Sequence, residues 1–91
     1  SDIQWIDAAG DYMCVHALDG MHIMRKTMKE LEQELNPQLF VRVHRSAIAN
    51  IRYVKKLVSH ISGEYHLILN NDTELKVSRS HRDKVKAAMK M

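Results

Sequence analysis

Residues 73–78 alternate strictly, with Thr73, Leu75 and Val77 on one side and Glu74, Lys76 and Ser78 on the other. That two-residue period marks a half-buried β-strand. The next residue, Arg79, has the parity of the apolar set. If the strand continued, it would carry an unpaired guanidinium into the core, which is very costly. The strand therefore ends near Ser78 and releases Arg79 outward. Ser80 then caps a helix, with Asp83 three residues on and Val85, Ala88 and Met89 as the buried stripe.

The same reading extends upstream. Residues 3–8 and 12–17 are short strands around the turn Ala9-Gly10-Asp11, and residues 21–24 form a third after Leu18-Asp19-Gly20. In the second strand Met13, Val15 and Ala17 share one face, while Tyr12, Cys14 and His16 take the other. Residues 27–35 read as a helix. Thr27 and Glu30 form a capping box, Met28, Leu31 and Leu35 line one face, and Asn36-Pro37 ends it. Residues 40–43 form a strand with Val41 and Val43 on one side. Residues 53–61 predict a longer one, with Tyr53, Leu57 and Ile61 in phase. After Ser62-Gly63-Glu64, Tyr65, Leu67 and Leu69 mark another strand. Asn70-Asn71-Asp72 then turns with residues that tolerate positive φ. Short strands separated by turn signals, with two short helices, predict a mostly β, antiparallel domain spanning residues 1–91.

Composition bounds the function. Cys14 is the lone cysteine, so no intrachain disulfide forms; a reducing cytoplasm fits, and Cys14 reads as a small strand hydrophobe. No apolar run reaches the ~18 residues of a membrane span, so no membrane role is expected. Residues 1–40 hold three Lys/Arg against seven Asp/Glu, whereas residues 41–91 hold eleven against four. A basic second half with four of the six His points to an anionic partner on that side.

Two clusters concentrate that charge. Residues 40–50 read Phe-Val-Arg-Val-His-Arg-Ser-Ala-Ile-Ala-Asn, so an apolar strand runs into His44, Arg45 and Ser46. At a strand end Arg45 can bond a phosphate or a guanine edge, and Ser46 a phosphate; a plain surface turn is the alternative. Arg42 sits mid-strand and reads as a structural ion-pair partner, and Asn50 as a turn or cap residue. The second cluster is Ser78-Arg79-Ser80-His81-Arg82 at a helix start, where free backbone N–H groups favour phosphate. Arg79 is the leading candidate for a base-edge contact; a surface ion pair with Glu74 or Asp83 is its alternative. Arg82, Lys86 and Lys90 recur at helical spacing. Like charges four apart repel unless something compensates. A phosphate would do so for Arg82, with Lys86 and Lys90 solvated. Lys55 and Lys56 fall on opposite strand faces, so at least one is available to a phosphate. The six His show no metal-ligand spacing, so neither metal nor cofactor is expected.

With its two clusters in this order and spacing, the chain resembles the LytTR family of bacterial DNA-binding domains, over about residues 3–89. The resemblance implies stacked antiparallel β-sheets with two short helices, not a helix-turn-helix. Inter-strand loops then read the major groove of double-stranded DNA. Arg45 matches a DNA-contacting loop residue of the family, and Arg79 a major-groove contact. The loop between the first two strands also reaches DNA in the family; here it offers Tyr12 and, unlike its cationic counterparts, Asp11. Many members carry a second basic residue where this chain has Ser80, a role Arg82 can assume. The resemblance further implies the C-terminal output module of a response regulator in a two-component system. Its receiver domain lies in cis outside this chain, and dimeric or tandem binding occurs on direct repeats.

Two other classes remain readable. An RNA- or protein-binding module would share the basic surface, although one Phe, one Trp and three Tyr give little for single-strand stacking. A hydrolase using His44 with His66 or His81 lacks an accompanying carboxylate or nucleophile motif, so the chain is not expected to be an enzyme.

Overall fold

The computed structural model describes residues 2–90. Strands β1 (Ile3–Ala9), β2 (Tyr12–Ala17) and β3 (Gly20–Met24) form a meander. Helix α1 (Met28–Glu34) follows, then β4 (Phe40–His44) and β5 (Ala47–Asn50). A second meander, β6 (Val54–Ser59), β7 (Tyr65–Leu69) and β8 (Glu74–Val77), leads into α2 (Arg82–Ala88). A five-stranded sheet has the order β3-β2-β1-β5-β4 and a three-stranded sheet the order β6-β7-β8, with every pairing antiparallel.

Two apolar layers hold these parts together. One lies between the sheets and joins Val43, Ala47 and Ala49 to Leu67, Leu69, Leu75 and Val77, with Val85 of α2 closing it. The other lies under α1 and joins Met28 and Leu31 to Ile6, Met13, Val15, Phe40 and Ile48. Successive β5 residues therefore feed opposite layers, and all four are buried. Full burial of a side chain such as Leu67 or Val85 is worth about 1.5–3 kcal/mol. The bulge between Ile3 and Trp5 lets Ile3 pack on the same layer as Ile6 despite its odd spacing.

Most expected elements stand where periodicity put them. Thr27 and Glu30 close both halves of the capping box at 2.9 and 3.0 Å. Asp72 takes φ 68° in the β7–β8 turn. Strand β8 ends at Val77, and Arg79 is exposed.

Three expectations fail for local reasons. The strand expected over 53–61 spans only Val54–Ser59. At its start, Asn50 Oδ1 accepts the Arg52 N–H at 2.9 Å and winds Ile51–Tyr53 into a 3₁₀ turn. At its end, His60 and Gly63 bond across the hairpin and leave Ile61 fully exposed rather than in phase. A bulge in β6 between Val54 and Lys56 defeats the expected alternation, so Lys55 and Lys56 are both exposed. Ser80 does not cap α2. A 3₁₀ turn over Arg79–His81 intervenes, His81 takes the N-cap position without a side-chain cap bond, and the box with Asp83 does not form.

Candidate nucleic-acid interface

The tight β4–β5 connection leaves only Arg45 and Ser46 to reverse the chain. Arg42 organises it. Its guanidinium donates to the carbonyl oxygens of Arg45 at 2.6 Å and His44 at 3.3 Å, and pairs with Glu32 of α1 at 2.7 Å. With both turn carbonyls drawn inward, the Arg45 side chain is exposed, and no protein group bonds its guanidinium among the described residues. Nδ1 of His44 accepts the Ser46 N–H at 3.2 Å and lies 2.9 Å from the Ser46 hydroxyl. A neutral ring with Nδ1 accepting carries its proton on Nε2, which makes Nε2 a hydrogen-bond donor.

The second turn is tied to the first through the backbone. The Ser78 N–H donates to the Val43 carbonyl at 2.9 Å, so β8 ends against the last turn of β4. His44, Lys76, Ser78, Arg79 and Arg82 then line one cleft, facing Gly63 and Glu64 of the β6–β7 hairpin. The Ser78 and Ser80 hydroxyls both lie on Nδ1 of His81, at 2.5 and 3.2 Å, which turns Ser78 and Ser80 toward the protein. Burial, then the Arg42 cation, hold His81 below the ordinary imidazole range; Lys84 and His44 act the same way and Glu32 opposes them. Like Arg45, Arg79 is exposed and makes no side-chain bond among the described residues.

Arg82 is committed to the protein. It donates to the Gly63 carbonyl at 2.8 Å and lies 4.4 Å from the Tyr65 ring centroid. Lys86 stands 4.9 Å from the same ring, half-buried rather than solvated as expected. The Tyr65 face thus offsets part of the repulsion between these two cations. In the sequence Tyr65 reads only as a strand residue.

The remaining candidates are dispersed. Tyr12 opens β2 beside the β1–β2 turn, 47% exposed, with Arg25 5.8 Å from its ring centroid. Lys55 makes an exposed pair with Asp72 at 3.3 Å, and Lys56 is exposed. Asn50 is fully buried; its amide donates to the Ile3 carbonyl at 2.8 Å, while its Oδ1, accepting the Arg52 N–H at 2.9 Å, takes the cap role read from sequence. Lys76 was missed, although it shares the outward parity of Ser78 on the alternating strand. The other His pair locally: His60 with His66 at 2.7 Å, and His16 with Asp7 at 2.7 Å while stacked on Trp5. Among the described residues no three His, Cys, Asp or Glu converge to hold a metal ion, and no helix is long and apolar enough to cross a membrane.

A sheet sandwich that presents basic strand-end turns has clear relatives. The family described as the LytTr DNA-binding domain matches residues 1–90. The chain belongs to the LytTr DNA-binding domain family. The transcriptional regulatory protein LytR of Staphylococcus aureus (strain N315) is 29% identical over 75 residues, covering 82% of the chain and 30% of that protein. The sensory transduction protein LytT of Bacillus subtilis (strain 168) is 27% identical over 85 residues, covering 93% and 35%. The chain thus spans about a third of the length of these relatives. The solved LytTr DNA-binding domain of a Bacillus cereus response regulator superposes with a TM-score of 0.90 at 21% identity, covering 99% of this chain and 83% of that one. The mostly β, non-helix-turn-helix architecture expected of a LytTr domain is the one found.

Proposed function

We propose that this LytTr domain binds double-stranded DNA sequence-specifically, as the cytoplasmic output module of a bacterial two-component transcription regulator. One observation carries the reading: two basic turns from distant parts of the chain meet beside one cleft, each with an exposed arginine free of protein partners. Arg79 and Arg45 supply base-edge contacts, and His44 Nε2 and Lys76 supply donors to the phosphate backbone. Arg82 acts by holding the cleft wall. Tyr12, Lys55 and Lys56 contribute from the margins, Ser46, Ser78 and Ser80 by shaping the turns. The domain is the C-terminal piece of a longer regulator, with a receiver domain in cis. Its sites are direct repeats bound in tandem or by a dimer, with DNA bending adding to specificity.

Selection from a random duplex library at near-physiological salt tests this. Enrichment of a short motif in direct repeats is expected, and no enrichment would refute specific reading. On the selected site, neutralisation of about five to seven phosphates gives a slope of log K against log[salt] of roughly −4.5 to −6. A slope near zero would contradict the electrostatic mechanism.

A further inference from the structure

The four sheet edges are not treated alike. The β4 edge is engaged by the Ser78 N–H, the β6 edge carries a bulge and two exposed lysines, and the β8 edge carries Glu74 and Lys76. All three follow the ways in which sheets avoid edge-to-edge association. Strand β3 is different. Its sequence, Gly-Met-His-Ile-Met, has no Lys, no Pro and no bulge. Its outer apolar side chains, Met21 and Ile23, are 52% and 63% exposed. They lie on the sheet face away from α1, opposite His16 and Cys14 of β2, and beyond the area covered by the smaller sheet.

The register fixes which backbone groups are free. Ala17 and Gly20 flank the two-residue turn Leu18-Asp19, so they form the hydrogen-bonded pair of the β2–β3 hairpin. The pattern then alternates. Val15 with His22 and Met13 with Met24 exchange bonds, whereas Met21 and Ile23 point their N–H and C=O groups out of the sheet. Among the described residues β3 pairs only with β2, so this row is unused.

We propose that this edge is a homodimer surface, with β3 of two copies pairing antiparallel about a two-fold axis at His22. In that register Met21 of one copy faces Ile23 of the second, and each such pair exchanges both backbone bonds. The two His22 residues form the closer, non-bonded pair, each ring held by its own Asp19 at 3.0 Å. The same register sets Asp19 of each copy opposite Arg25 of the other, and both are exposed. The edge is thus complementary to itself in hydrogen bonding, apolar contact and charge, which favours a second copy over an unrelated strand. It stands apart from the cleft and does not depend on the DNA reading; its two-fold symmetry is not that of a direct repeat, so it is an association separate from the one invoked there.

Sedimentation equilibrium of the 91-residue chain, from about 10 μM to about 1 mM, tests the pairing. The average mass is expected to rise with concentration toward twice the 10.6 kDa protomer. Ile23→Lys, at an exposed position that leaves the fold intact, is expected to hold the chain monomeric. Asp19→Arg and Arg25→Asp each weaken association about five- to tenfold, and the double reversal restores it. A constant protomer mass overturns the proposal, as does self-association that Ile23→Lys leaves intact. A double reversal as weak as the single ones overturns the register.

Discussion

The Arg42 guanidinium donates to the Arg45 carbonyl at 2.6 Å while its other arm pairs with Glu32 at 2.7 Å. One side chain thereby bolts the β4–β5 turn to α1. Its neighbour Arg45 is left pointing outward because the turn's acceptors are already used. Two arginines three residues apart in sequence therefore have opposite jobs, one internal and one facing solvent.

Arg42→Ala is expected to destabilise the domain by about 1–3 kcal/mol, since it strands a carboxylate and two carbonyl acceptors. Arg42→Lys keeps the charge but not the fork, and is expected to recover only part of the loss. Urea unfolding of both variants measures this. Equal stability of wild type and Arg42→Ala would contradict the role given to Arg42.

Tyr65 carries Arg82 and Lys86 on one ring, at 4.4 and 4.9 Å. Tyr65→Leu is expected to cost about 1–2 kcal/mol and to expose the repulsion between the two cations. Adding Lys86→Gln then recovers part of that cost in a double-mutant cycle. Strict additivity would show that the ring does not shield the pair.

Stability is expected to depend on pH through His81. Its folded-state value lies below the ordinary 6.5, chiefly because of burial and then Arg42. The unfolded chain thus binds the proton more readily, and stability rises with pH in that window. Its contribution is complete above about 6.5 and is lost as pH falls from there through the lowered folded value. His81→Gln is expected to flatten this part of the profile in thermal melts taken across pH. Glu30, held low by its bonds to Thr27, adds a separate loss in the carboxylate range, its contribution being present above 4.5 and lost as pH falls through its lowered value.

Local rules made much of this architecture legible. The parity of Arg79 forced the end of β8, and Thr27 with Glu30 announced α1, because both signals are complete within a few residues. The misreadings came where a contact distant in sequence decides. Ser80 resembles a helix cap, but its hydroxyl lies on His81, and the chain turns once more before α2 begins. Tyr53 has strand parity, but Asn50, fixed by the Ile3 carbonyl, winds it into a 3₁₀ turn. For the candidate interface, periodicity named Arg45 and Arg79 separately. The joining of their two turns rests on the Ser78–Val43 bond, a meeting of two sheets that no local pattern encodes.

The central claim is that Arg79 reads a base edge while the surrounding cations hold phosphates. The most direct measurement compares Arg79→Ala with wild type on the selected duplex and on random duplex DNA at one salt concentration. The account predicts a loss of about 1–3 kcal/mol on the selected site and little change on random DNA. Equal losses on both would contradict it and reduce Arg79 to a phosphate contact.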